Sequence, residues 1–151
     1  MKVLIAEDDP TSKYMLEKTL RYWGYETIAV SDGAMAMMFL TLHDPPDFAI
    51  MDWEMPKVNG IKVCDHVRSN PDIKDLYLIL LTARTSKEDM MEGYRSGADD
   101  FLTKPVTVTD LKVSVDKAAE ITKRKILLTS RKDIRLDNIN IYLQRNNLPL
   151  I

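Results

Sequence analysis

Five short apolar runs punctuate the chain: KVLIA (2–6), YETIAV (25–30), DFAIM (47–51), LYLILL (76–81) and DDFLT (99–103). Each has the length of a strand and is flanked by charged or turn-forming residues, so each predicts a β-strand. Between them the apolar positions fall at helical spacing. Tyr14, Leu16, Leu20 and Trp23 mark a first helix, Ala34, Met38, Phe39 and Leu42 a second, and Ile61, Val63, Cys64 and Val67 a third. Met90, Met91 and Tyr94 mark a fourth, and Leu111, Val115, Ala118 and Thr122 a fifth. Gly24 and Gly97 stand where helices one and four should stop, Asn70 and Pro71 follow helix three, and Ser86 and Thr109 are candidate caps for the last two helices.

This alternation predicts an α/β fold, a (βα)5 doubly wound five-stranded sheet. Short connections between strand and helix imply parallel strands joined by right-handed crossovers, with helices on both faces. Such strands are buried on both sides, which accounts for their almost continuous apolar character. Ligands of open α/β sheets bind beyond the carboxyl ends of the strands. Those ends carry Glu7, Asp8 and Asp9 after strand one, Asp52 after strand three, Thr82 after strand four and Lys104 after strand five.

Taken singly, an acid after a strand is a helix cap, Thr82 another cap, and Lys104 a surface lysine. Together they are harder to dismiss, and an acid closing an apolar strand, as Asp52 does, is costly without a partner. If Asp8 and Asp52 approach within ~4 Å, they repel by about 4 kcal/mol at an effective dielectric near 20. A cation must offset this. Oxygen ligands including several carboxylates suit Mg²⁺, which keeps part of its water shell. Lys104 adds a fixed positive charge. A dication, a lysine and a hydroxyl suit three phosphoryl oxygens, with Asp52 placed as the nucleophile.

Composition narrows the choices. The 151 residues suit one domain with a short appendage. No apolar run approaches the ~18 residues of a membrane span, and the opening MKVLIAEDD lacks the pattern of a signal peptide, so a cytoplasmic location is expected. Cys64 is the single cysteine, and the two histidines are His43 and His66, which leaves no cysteine-rich zinc site and little for a histidine cluster. Residues 1–120 hold 14 Lys/Arg against 21 Asp/Glu, whereas 121–151 hold 7 against 2. A basic end of this kind is most simply a solvated helix end.

At these residues the chain resembles the receiver domain of two-component response regulators. The resemblance runs from residue 2 to about 124 and rests on LIAEDDP, MDWEMPKVNG, LILLTA and GADDFLTKP, with 44 residues from Asp8 to Asp52, 30 on to Thr82 and 22 more to Lys104. It implies the flavodoxin-like strand order 2-1-3-4-5 and a receiver domain over 1–124. It implies that Asp52 accepts a phosphoryl group from a sensor histidine kinase or phosphotransfer protein, that Asp8, Asp52 and the backbone carbonyl of Glu54 bind Mg²⁺, and that Glu7 acts through water. Thr82, Lys104 and the Ala83 N–H would hold the phosphoryl oxygens, and Asp9 would lie outside the site. Lys104–Pro105 matches the family's cis proline bond, and Gly60 would supply a backbone conformation closed to other residues.

The resemblance also implies a switch: Thr82 moves toward the phosphoryl group and Phe101 turns inward, changing the surface of helix four, strand five and helix five. That surface could serve a downstream effector or a homodimer. Glu54 and Arg84 border the site and could pair across its mouth, and Trp53 is placed to report on it. Such a protein is a switch whose chemistry is confined to its own phosphorylation and dephosphorylation. Two alternatives are a phosphatase of the haloacid-dehalogenase type and a receiver-like module that keeps the pocket without being phosphorylated. In the phosphatase a second aspartate usually stands two residues after the nucleophile as general acid; here that position is Glu54, and neither a cap insertion nor a late acidic pair is present. Residues 125–151 read as an extension of helix five or the remnant of a linker to an output domain; they are too short for a complete DNA-binding module, and no nucleic acid or membrane partner is expected for them.

Overall fold

The computed structural model describes residues 1–42 and 44–151, so His43 lies outside the described residues. Among the described residues five strands alternate with five helices: β1 (Lys2–Ala6), α1 (Pro10–Tyr22), β2 (Glu26–Val30), α2 (Gly33–Leu40), β3 (Phe48–Asp52), α3 (Gly60–Ser69), β4 (Tyr77–Thr82), α4 (Lys87–Ser96), β5 (Asp100–Thr103) and α5 (Val108–Arg145). All strand pairs are parallel and the order is β2-β1-β3-β4-β5, the expected flavodoxin-like sheet.

Period-two alternation divides each strand between two cores. Val3, Ile5, Phe48, Ile50, Ile79 and Leu81 point to the side covered by α1 and α5, where Leu16, Leu20, Leu111, Val115 and Ala118 meet them. Leu4, Ala6, Ala49, Met51, Leu78 and Leu80 point to the opposite side, against Ala36 and Leu40 of α2 and Val63, Cys64 and Val67 of α3. β3 and β4 are buried at every position because both have strand neighbours and both faces are covered. The reversal of strand order falls between β1 and β3, so the ends of those two strands flank the crevice.

Caps fix where the helices begin. Asp9 accepts the Ser12 N–H at 2.8 Å to open α1, with Pro10 at the first helical position, where a missing N–H costs nothing. Ser86 opens α4 by accepting the Asp89 N–H at 3.1 Å. For α5 the cap is Thr107, whose hydroxyl accepts the Asp110 N–H at 3.1 Å; Thr109 lies inside the first turn, because the extended chain after Pro105 closes into a helix two residues earlier than the sequence suggests. Gly97 ends α4 at φ 107°, a left-handed conformation suited to glycine.

Three readings need correction. Of the positions that mark α1, Leu16 and Leu20 are buried as expected, but Tyr14 is 60% exposed. On α2, Ala34 and Met38 face solvent while Ala36 and Leu40 are buried, and Leu42 lies beyond the helix and is exposed. Gly60 does not adopt a conformation closed to other residues. It opens α3 pressed against β3, where a Cβ would sit 2.5 Å from the Asp52 carbonyl oxygen.

Helix α5 is the longest element, 38 residues or about 57 Å at 1.5 Å per residue. Its buried positions end at Ala119, and Lys125 still reaches the Asp75 carbonyl at 2.7 Å. Beyond that, Leu127, Leu128 and Ile134 are exposed. Past Arg145 the chain turns back: the Leu148 N–H reaches the Leu143 carbonyl at 2.9 Å, and Asn140 exchanges hydrogen bonds with Ile151. Among the described residues no helix is long and apolar enough to cross a membrane.

Candidate functional site

The turn from β1 into α1 sends three consecutive acids in different directions. Glu7 points inward and is wholly buried, with its N–H donated to the Val30 carbonyl at 3.1 Å. Asp8 is exposed. Asp9 caps α1, and its own N–H donates to Glu7 Oε1 at 3.1 Å. Asp9 thus serves the helix and orients Glu7.

Asp52 ends β3 and is 5% exposed. Its Oδ1 accepts the Glu54 N–H at 3.1 Å, and its Oδ2 accepts from Lys104 Nζ at 2.6 Å. Lys104 Nζ also donates to Glu7 Oε2 at 3.0 Å, so one ammonium group bridges two buried carboxylates. Burial pushes the Glu7 carboxyl above its ordinary range, and the Lys104 hydrogen bond recovers only part of the shift. For Lys104, burial alone would lower the pKa; its hydrogen bonds to Asp52 and Glu7 outweigh burial and hold the amine above its usual value. The peptide bond Lys104–Pro105 is cis.

Glu7, Asp8 and Asp52 each offer a carboxylate oxygen, and these oxygens lie within 4.8 Å of one another. Three carboxylates against one ammonium leave a local deficit of two positive charges. A small dication that prefers oxygen matches this donor set, and exposed Asp8 leaves one side open to water.

Thr82 ends β4 on the neighbouring strand, where Leu81 stands opposite Asp52, so its side chain lies one residue beyond the acid. It is 1% exposed; its hydroxyl oxygen accepts the Arg84 N–H at 2.9 Å and its carbonyl accepts the Lys104 N–H at 2.8 Å. Ala83 lies exposed at the bend that follows. Glu7, Asp8, Asp52, Thr82 and Lys104 therefore stand at one sheet edge, carried by four strand ends.

At the rim, the Arg84 guanidinium binds Glu54 through Nε at 2.9 Å and through Nη2, and the Glu54 hydrogen bond raises the arginine's already high pKa. The same guanidinium lies 5.1 Å from the Trp53 ring centre and 3.4 Å from Asp89 on α4. Phe101 is half-buried, 4.6 Å from the Tyr94 ring in an edge-on contact and 6.5 Å from the Trp53 ring. Its seat depends on Gly93, where a Cβ would fall 2.2 Å from Phe101 Cζ. Sequence reasoning missed Asp89 and Gly93 as neighbours of the site. Gly93 did leave a signal, since a mid-helix glycine costs about 1 kcal/mol relative to alanine and calls for a packing reason.

The response regulator receiver domain family matches residues 3–116. The chain is 36% identical over 114 residues to an uncharacterized transcriptional regulatory protein, YrkP, of Bacillus subtilis, covering 76% of this chain and 47% of that protein. It thus spans about half the length of that curated relative. Among solved structures, it resembles the signal receiver domain of a signal transduction histidine kinase from Syntrophus aciditrophicus, with 36% identity, a TM-score of 0.76, and coverage of 82% of this chain and 92% of that one. It also resembles the receiver domain of a sensor histidine kinase from Pseudomonas aeruginosa PAO1, which has a magnesium ion coordinated in its active-site cleft, with 26% identity, a TM-score of 0.68, and coverage of 82% and 94%. With the strand order and acidic crevice already in place, these matches lead to one assignment: the chain belongs to the response regulator receiver domain family of two-component systems.

Proposed function

We propose that this chain is a phosphorylation-dependent switch in which Asp52 takes a phosphoryl group from the phosphohistidine of a sensor kinase or phosphotransfer protein. The observation that carries this reading is Lys104 Nζ bridging Asp52 and Glu7 beside an oxygen-only cluster completed by Asp8. Asp52 Oδ forms the P–O bond as the P–N bond to the histidine breaks, and the imidazole leaves. The Glu54 N–H and Lys104 hold the Asp52 carboxylate in a fixed orientation before the donor arrives. Asp8, Asp52 and the backbone carbonyl of Glu54 would hold Mg²⁺ directly and Glu7 through water. When bound, Mg²⁺ offsets the negative charge of the phosphoryl oxygens. Lys104, Thr82 and the Ala83 N–H are assigned to those same oxygens. Water attack on phosphorus later cleaves the acyl phosphate and returns Asp52.

A phosphoryl group adds nearly two negative charges. Turning the Thr82 hydroxyl toward it vacates space beside Phe101, which in this structure lies against Gly93 and Tyr94 of α4. Inward rotation of Phe101 would then change the face formed by α4, β5 and the start of α5, the surface offered to an effector or a second copy. Identical Phe101 orientations with and without a beryllofluoride mimic on Asp52 would remove this part of the reading.

Acetyl phosphate with Mg²⁺, followed by intact mass measurement, tests the whole. A single labile phosphoryl adduct, lost in Asp52→Asn, is expected. Continuous phosphate release over many turnovers would instead assign a phosphatase, and no adduct at all would assign a pocket that is not phosphorylated.

A further inference from the structure

The end of α5 carries a surface that the receiver site does not use. The body side of this helix holds Leu111, Ala118 and Lys125, spaced by seven. Leu127 lies two residues past Lys125, some 200° further round, facing away from the body. Leu127, Ile134 and Ile141 are again spaced by seven, with exposures of 60%, 59% and 48%. Between and after them, also at sevens, stand Arg131, Asn138 and Arg145. Residues seven apart stay on one side of a helix, drifting only ~20° per repeat. The outward side is therefore an aliphatic ridge, flanked on one side by Arg131, Asn138 and Arg145 and on the other by Asp137, three residues after Ile134, while Asp133 lies further round. Arg131, Ile134 and Asn138 line a shallow cavity along it.

The rest of the chain leaves this ridge open. The returning residues 147–151 bond to Leu143 and Asn140, on the side that continues the body face. Among the described residues no carboxylate pairs with Arg131, Arg135 or Arg145, whereas Arg124 is paired with Glu120. The segment 121–151 carries seven cations against two acids.

We propose that this ridge docks a helix of another protein that bears aliphatic residues at heptad spacing and carboxylates facing Arg131 and Arg145. The aliphatic positions ask for an apolar ridge in return, which a phosphate backbone does not offer. The segment's excess of seven cations over two acids asks for an acidic partner, and a second copy would bring the same excess.

The test uses the full chain and a fluorescein-labelled synthetic peptide of four heptads, with leucine on the contact ridge and glutamate flanking it. Anisotropy at physiological ionic strength is expected to show binding at least tenfold tighter than for a scrambled peptide of equal composition. Arg131→Glu with Arg145→Glu should abolish it, and the matching lysine peptide should bind that charge-reversed protein, which separates lost recognition from lost folding. Equal affinity for the ordered and scrambled peptides, or loss without rescue, overturns the proposal. Tighter binding to a duplex DNA of similar length would assign the ridge to nucleic acid and overturn it. A dimer in sedimentation that Ile134→Asp dissociates would assign it to a second copy, again against the proposal.

Discussion

Lys104→Met tests the electrostatics of the crevice before any phosphoryl chemistry. The substitution keeps an apolar stem and removes the ammonium that touches Asp52 at 2.6 Å and Glu7 at 3.0 Å. Both carboxylates are nearly or wholly buried, and removing one partner of a buried ion pair costs about 3–5 kcal/mol. The lysine side chain is 28% exposed, so water reaches the gap and the lower end, about 3 kcal/mol, applies. For a chain of this size that corresponds to a fall of about 6–12 °C in Tm in buffer with EDTA. Because burial raises the folded pKa of Glu7 above its unfolded value, the folded state keeps the proton longer, and this contribution to stability declines as pH rises between the two values. The variant should therefore suffer least at acid pH. Glu7→Gln added to Lys104→Met should recover part of the loss, since it removes one of the stranded charges. Urea and thermal unfolding at several pH values, with and without MgCl₂, measure all of this. If Lys104→Met changes stability by less than ~0.5 kcal/mol in EDTA, the ammonium does not neutralise the crevice and the electrostatic account of the site fails.

Gly93→Ala should destabilise by about 1–3 kcal/mol through the collision with Phe101 and alter Trp53 fluorescence; in a Phe101→Ala background the same change should become neutral or stabilising, and additive effects would refute the contact. Glu54→Ala with Arg84→Ala should speed loss of the phosphoryl group by opening the rim, and an unchanged decay rate in a phosphate-release assay would refute the shielding role. Burial pushes the Cys64 thiol and the Tyr77 hydroxyl each up to about 12, so between pH 9 and about 12 the unfolded chain releases protons that the folded chain keeps. Stability must then fall as pH rises through that window, by on the order of 1 kcal/mol per pH unit for each group. Alkaline unfolding curves should be shallower in Cys64→Ala, and rapid alkylation of Cys64 in the folded protein at pH 8 would contradict its burial.

The strands were legible to within a residue because each combines an apolar run with a polar stop, and a strand buried on both faces needs no finer pattern. Helix faces were harder. GAMAMMFL is apolar almost throughout, so nothing in it marks Ala36 and Leu40 rather than Ala34 and Met38 as the buried side; tertiary packing on α3 decides that. The start of α5 was missed because Thr107 and Thr109 are equivalent as local signals, and only the path of the chain after Pro105 separates them. Among the candidate residues, Glu7, Asp8, Asp52, Thr82 and Lys104 could be placed together because topology brings the carboxyl ends of the parallel strands to one edge. The Gly93–Phe101–Trp53 packing could not, since it joins three elements across the sheet edge at distances no local pattern encodes.

The acid that closes β3 is tolerable for a reason visible only in three dimensions. Asp52 is held by one backbone N–H and one ammonium, and the ammonium arrives from a strand two places across the sheet. That arrangement satisfies Asp52 but must be shared with Glu7, which burial already disfavours as an anion, while Asp8 adds a third negative charge at the open side. A crevice built only for stability would replace at least one of these acids with a neutral side chain, because buried ion pairs rarely outperform apolar packing. Retaining a deficit of two positive charges in a pocket of oxygen atoms lowers the stability of the chain alone and raises its affinity for a dication. The sequence spends several residues on that imbalance, and the imbalance is more informative about function than any single one of them.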